Sequence, residues 1–255
     1  MNKKTIRRFV FGILAGLIFG LVVLGFAINQ SRPAAETALL AMQTDDHVIY
    51  STNEDGWLVF APQDTESVGG FILYPGGNVD PRAYAPLARQ IASAGHLVII
   101  PPMPFDLAVF APNKASQVIL AYPDVSIWTI GGHSLGGAMA AAFVADHPDQ
   151  ISGLILWASF PADTNDLSAS ELSVLSIYGT LDGVAPLAQI ESSRARLPND
   201  TIWVEIEGGN HAQFGDYGVQ AGDNGAEIPA AEQQAVIIAE TAVFLQQLFV
   251  ASTIN

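Results

Sequence analysis

The sequence predicts an α/β fold: a mostly parallel central sheet with helices on both faces. Three observations predict it. Apolar runs of strand length alternate with helical runs from about residue 46 onward. Gly70–Tyr74 reads as a strand buried on both sides, closed abruptly by Pro75-Gly76-Gly77. No internal repeat, low-complexity tract or second domain boundary interrupts the pattern, and 255 residues suit a single α/β domain.

Taken in order, His47–Ser51 and Trp57–Ala61 predict a hairpin, with Asn53 to Gly56 supplying the turn. After Gly70–Tyr74, Pro81 to Ala94 predicts a helix, since Tyr84, Leu87, Ala88 and Ile91 recur at helical spacing and Gly95 stops it. His96–Ile100 predicts a strand, Asn113 to Tyr122 a helix, Ser126–Ile130 a strand and Leu135 to Asp146 a helix. The strands Gly153–Trp157, Val174–Tyr178 and Ile202–Ile206 follow, with a helix at Pro186 to Leu197 between the last two. A long helix from Ala230 to about Phe249 closes the chain. The stretch from Trp157 to Ser173 is too short for a large cap domain.

Composition narrows the function. Half of the chain is hydrophobic and 14% is charged, which is too apolar for disorder. All four positive charges before residue 30 lie at Lys3, Lys4, Arg7 and Arg8, and the net charge is −15. So acidic a body argues against nucleic acid as a partner, because that binding requires Lys and Arg to replace counterions. With no cysteine, disulfides, thiolate metal sites and a cysteine nucleophile are excluded. Asp216, Asp223 and Glu227 have no calcium-loop spacing, and no metal or other cofactor is expected.

Phe9 to Ile28 carries no charge over 20 residues, enough for a helix to span about 30 Å, the thickness of a hydrocarbon core. The preceding positives place the N-terminus in the cytoplasm and the body outside. The sequence thus divides into a basic tip and transmembrane signal anchor at 1–30, a polar tether at 31–45 and the α/β domain at 46–255. The location is the cell membrane, single pass. A cleaved signal peptide, and so secretion, is the rival, with small residues at Ala34 and Ala35. Gly12, Gly16 and Gly20 form a small-residue ladder that offers weak dimerisation between two such helices.

The chemistry-bearing residues lie at strand ends. Gly132-His133-Ser134-Leu135-Gly136 sits between a strand and a helix, the setting of a nucleophile elbow. There Ser134 projects from the sheet edge and the Leu135 N–H points at the same space. His133 is expected to pack beneath the turn. A hydroxyl needs a base, and His211 follows the last strand, whereas His47, His96 and His147 sit in structural positions. A base histidine needs a carboxylate to fix its tautomer. Asp182, in the turn after the preceding strand, is the first candidate, with Asp163 and Asp166 in reserve. Phe214 and Tyr217 offer substrate contacts if their loop edges the site, although a solvated loop is the expectation. Phe105, Phe110 and Trp157 offer an acyl pocket but are expected in the core.

The chain order Ser134, Asp182, His211 resembles the α/β-hydrolase superfamily, and most closely its small, lidless bacterial group related to dienelactone hydrolases, over about Tyr50 to Leu248. The resemblance places an oxyanion loop at Leu73 to Asp80 and implies the Gly77 N–H as second oxyanion donor beside Leu135. Dienelactone hydrolases use cysteine, so lactone specificity does not carry over. The serine also argues against the dehalogenase and epoxide-hydrolase branches, which need aspartate at the elbow. What is implied is a serine hydrolase cleaving small carboxylic esters or thioesters through an acyl-enzyme. An acyltransferase on the same triad, and a non-catalytic binding module that keeps the fold, are the alternatives.

Overall fold

A computed structural model describes residues 31–63 and 69–254 of the chain. The signal-anchor segment, with Gly12, Gly16 and Gly20, lies outside the described residues. Eight strands form one sheet: β1 (Val48–Thr52), β2 (Leu58–Pro62), β3 (Gly70–Tyr74), β4 (Leu97–Ile100), β5 (Trp128–His133), β6 (Gly153–Trp157), β7 (Ser173–Gly179) and β8 (Ile202–Ile206). Their spatial order is β1-β2-β4-β3-β5-β6-β7-β8. The β1–β2 hairpin joins β4 antiparallel, and every later pairing is parallel.

Both faces of the sheet are buried, which is why its strands are apolar without interruption. In β3, Phe71 and Leu73 join one core and Ile72 and Tyr74 the other, as the two-residue period requires. The first core is covered by α2 (Ala85–Ser93) and α6 (Ala230–Ile254), and the second by α3 (Lys114–Ala121) and α4 (Leu135–Asp146). Among the described residues α6 alone is long and apolar enough to cross a membrane, but Ile237, Leu245 and Phe249 bury its inner face against the sheet.

The departures from expectation are local. The stretch expected as one helix from residue 81 opens with a 3-10 turn at Pro81–Tyr84, where Asp80 accepts from the Arg82 N–H. The helix expected over 186–197 is α5 (Leu187–Ser193) followed by a 3-10 turn, Arg194–Arg196. β5 runs on through Gly131, Gly132 and His133, because both of its neighbours pair with those glycines. Residues 158–172 form no helix or strand between β6 and β7. The segment expected as a tether instead packs on the domain. It carries α1 (Glu36–Leu40), buries Ala38, and bonds Ala35 N–H to the Asp216 carbonyl at 2.7 Å.

Candidate active site

Ser134 stands between β5 and α4 with φ 53° and ψ −123°, a strained conformation for a residue with a side chain. The strain persists because the turn is fixed from outside. The Ser134 N–H donates to the Trp157 carbonyl at 2.9 Å, and the Ser159 hydroxyl donates to the Ser134 carbonyl at 2.6 Å. A Cβ at Gly136 would stand 2.2 Å from the Tyr74 carbonyl oxygen, so the helix start can approach β3 this closely only with glycine there.

The expected oxyanion residues meet. A Cβ on Gly77 would lie 2.9 Å from Leu135 Cδ2. Among the described residues, neither the Gly77 nor the Leu135 N–H donates a hydrogen bond.

His211 and Asp182 are brought together from the ends of β8 and β7. His211 Nδ1 lies 2.7 Å from Asp182 Oδ2, and both side chains are almost wholly buried. The other carboxylate oxygen, Oδ1, accepts the N–H groups of Val184 at 2.8 Å and Ala185 at 2.6 Å. Asp182 is thus oriented by its own turn. His211 Nε2 is buried and has no hydrogen-bond partner among the described residues, Ser134 included.

His133 packs beneath the elbow, as expected, but it does more than fill space. Its ring centroid lies 4.5 Å from that of His211, and Phe214 stacks on it at 5.7 Å with 7° between the planes. The Gly76 N–H donates to the Tyr84 hydroxyl at 2.9 Å, and that hydroxyl lies 2.8 Å from His133 Nδ1. The hydroxyl thus links the oxyanion-loop backbone at Gly76 to the His133 ring. Burial, and then the neighbouring His211, hold the His133 pKa well below its ordinary value. It therefore stays neutral, and does not repel the charge that a proton would place on His211.

Asp223, considered from sequence only as a calcium ligand, gathers the loops instead. Its Oδ1 accepts the N–H groups of Gly183 at 3.0 Å, His211 at 3.3 Å and Asn224 at 2.9 Å, and its Oδ2 accepts Ala212 N–H at 2.8 Å. One carboxylate thereby ties the turn of Asp182 to the turn of His211. No spacing in the sequence carries that information, because the three segments meet only in the fold.

The remaining candidates fall elsewhere. Asp163 pairs with Arg196 at 3.0 Å on the surface, and Asp166 accepts the Ser168 N–H within its own loop. His96 is buried at the start of β4, and His147 leans on Phe143. The loop from Gln213 to Pro229 divides: Phe214 and Tyr217 are buried beside His133, whereas Gly218 to Pro229 is exposed or half-buried, as expected of a solvated loop. Trp157 is core, whereas Phe105 and Phe110, expected there too, are exposed.

A model of the alpha/beta hydrolase family matches residues 70–235. No curated protein matches the sequence. Solved structures match throughout the domain at low identity. A CIB-like hydrolase from Thermoplasma acidophilum is 15% identical with a TM-score of 0.58, over 76% of this chain and 98% of that one. A Thermus thermophilus protein is 14% identical with a TM-score of 0.60, over 79% and 98%. A lipase candidate from Acinetobacter baumannii AYE is 12% identical with a TM-score of 0.62, over 81% and 93%.

Proposed function

The chain belongs to the alpha/beta hydrolase family, and from that premise we propose that it is a serine hydrolase of carboxylic esters or thioesters. Ser134 is the nucleophile, His211 the base and Asp182 the carboxylate that orients it. The observation that carries the reading is the buried His211–Asp182 pair at 2.7 Å, reached from two strand ends beside a strained serine.

The chemistry follows from the geometry. Asp182 accepts the Nδ1 proton of His211 and so leaves Nε2 as the basic nitrogen. Nε2 takes the Ser134 proton as Oγ forms a bond to the carbonyl carbon. The negative charge moves to the carbonyl oxygen, where the Leu135 and Gly77 N–H groups receive it. Collapse expels the alcohol or thiol, which leaves with the proton from Nε2. Water, deprotonated by the same nitrogen, then attacks the acyl-serine and releases the acid.

The test combines Ser134→Ala with a serine-directed fluorophosphonate. The variant should lose about 10⁴- to 10⁶-fold in turnover of a soluble chromogenic ester, with its unfolding midpoint retained. The label should be recovered on Ser134 in the wild-type chain. Turnover near wild type in Ser134→Ala refutes the assignment. Product analysis with an added primary alcohol separates hydrolysis from acyl transfer. We place the domain outside the cell, held by the uncharged run Phe9 to Ile28. Retention of the full chain in the membrane fraction after an alkaline carbonate wash tests that placement.

A further inference from the structure

The segment that follows the uncharged run is pinned to the catalytic edge. Ile28 ends that run, and Arg32 is four residues on, at most about 14 Å along extended chain. Arg32 pairs with Val79 in a parallel bridge. Its N–H donates to the Asn78 carbonyl at 2.7 Å, and its carbonyl accepts the Asp80 N–H at 2.9 Å. Asn78 directly follows Gly77. On its other side the Asn78 N–H donates to the Asp106 carbonyl at 2.8 Å. One residue of the oxyanion loop is therefore bonded both to the start of the described chain and to the turn that contains Asp106.

That turn is unusual in two respects. Phe105 and Asp106 both have positive φ, 56° and 54°, in the left-handed region that residues with bulky side chains avoid. The strained turn also holds its apolar side chains outward: Phe105 is 67% exposed, Phe110 54% and Val109 44%. The two rings meet edge to face, with centroids 5.7 Å apart, and are covered by no other ring among the described residues. Leu107, between them, turns inward toward Gly77. Burying such side chains against an apolar medium is favourable, and the folded domain leaves that gain unused.

We propose that Phe105, Val109 and Phe110 form a membrane-contacting ledge, seated in the interfacial layer of the bilayer that the chain leaves just before Arg32. The proposal rests on the anchor reading, and the spacing argues for this occupant. An anchored chain has only those few residues between the hydrocarbon edge and the Arg32–Val79 bridge, so the oxyanion loop and its attached turn lie at lipid depth. The contact is apolar. Beyond Ile28 only six Lys and Arg stand against 25 Asp and Glu, so the body offers little attraction to anionic headgroups. Docking sets the Ser134 mouth at the lipid–water boundary.

The chain has no cysteine, so a single substitution carries a single label. Phe110→Cys, and separately Phe105→Cys, are prepared in the full chain, labelled with a polarity-sensitive fluorophore and reconstituted into phosphatidylcholine vesicles. Leu120→Cys is the reference. It is 80% exposed, on the last turn of α3, which leads to the opposite edge of the sheet. The labels at 110 and 105 should emit to the blue of the label at 120. A quencher on the lipid near the headgroup should quench them, and aqueous iodide should not. A chain that stays with the vesicles through carbonate washing, yet whose labels at 105 and 110 match the reference, overturns the ledge and leaves the anchor standing. A chain that washes off overturns the proposal through the anchor itself.

Discussion

The two edges of the sheet are crowded in different ways. At the catalytic edge, a Cβ on Gly136 would stand 2.2 Å from the Tyr74 carbonyl oxygen and 2.4 Å from that of Pro75. At the opposite edge, a Cβ on Gly70 would stand 2.3 Å from the ring of Trp128. The first collision is with main chain, which has no other rotamer to adopt. The second is with a side chain, a buried indole that packs against Tyr122. Their histidines differ likewise. His211 is wired to Asp182, whereas His96 at the far edge has an unpartnered Nδ1 and leans on Phe249. At the elbow the tightest approach is main chain to main chain, and at the other end it is main chain to side chain. A site that must hold atoms to within a fraction of an ångström gains from the first arrangement, while mere stability is served by the second.

The sharpest way to break this contrast is a pair of glycine substitutions. Gly136→Ala should lower kcat/KM about 100-fold, since a displacement near 1 Å at the elbow has that cost. Gly70→Ala should leave kcat/KM near wild type and destabilise the fold by about 1–3 kcal/mol, the usual cost of overpacking. Ester kinetics and urea midpoints on both variants decide it. Equal losses of turnover would show that the two edges are equally rigid.

A smaller effect should come from Asp223. Asp223→Asn keeps the shape but turns one oxygen into an NH₂ group, which faces an N–H it formerly accepted. Loosening the tie between the Asp182 and His211 turns should cost about 10-fold in kcat/KM. KM should move little, because Asp223 touches no substrate-facing donor. A loss confined to the unfolding midpoint, with kcat unchanged, would make Asp223 a purely structural residue.

What could be read from sequence follows the same division. β3, β8 and α4 match their expected bounds because their apolar runs are flanked closely by Pro, Gly or the elbow itself, which are local signals, and β6 matches with Gly153 at its start. Ser134, Asp182 and His211 could be singled out because each follows a strand and their order is informative. Polarity in 31–45 says nothing about the backbone bonds that hold this segment to the domain, from Arg32 to Asn78 and Asp80 and from Ala35 to Asp216. The bonds of Asp223, and the placing of His133 against His211, are long-range and leave no periodic trace. Gly131 and Gly132 lie beyond the expected strand end at Ile130, yet they belong to β5, because the flanking strands supply hydrogen bonds that the residues' own propensity does not.

The smallest expected effect belongs to the far edge and is seen in stability. Burial lowers the pKa of His96 from its ordinary 6.5 to about 4. Between those values the unfolded chain takes up a proton that the folded chain refuses. Stability must therefore fall as pH drops from about 6.5 toward about 4, by at most about 1.4 kcal/mol per pH unit for this one group. Below that range both states are protonated and His96 contributes no further loss. Buried His133, whose pKa is lowered as well, should add a slope of the same sign. Urea midpoints taken from pH 7 to pH 4 measure the sum, and His96→Gln removes one part of it. If the contrast between the edges holds, His96→Gln should flatten the pH slope and leave ester turnover at neutral pH unchanged. An unchanged slope would show that His96 is solvated in the native protein. A loss of turnover would show that the far edge is coupled to the site.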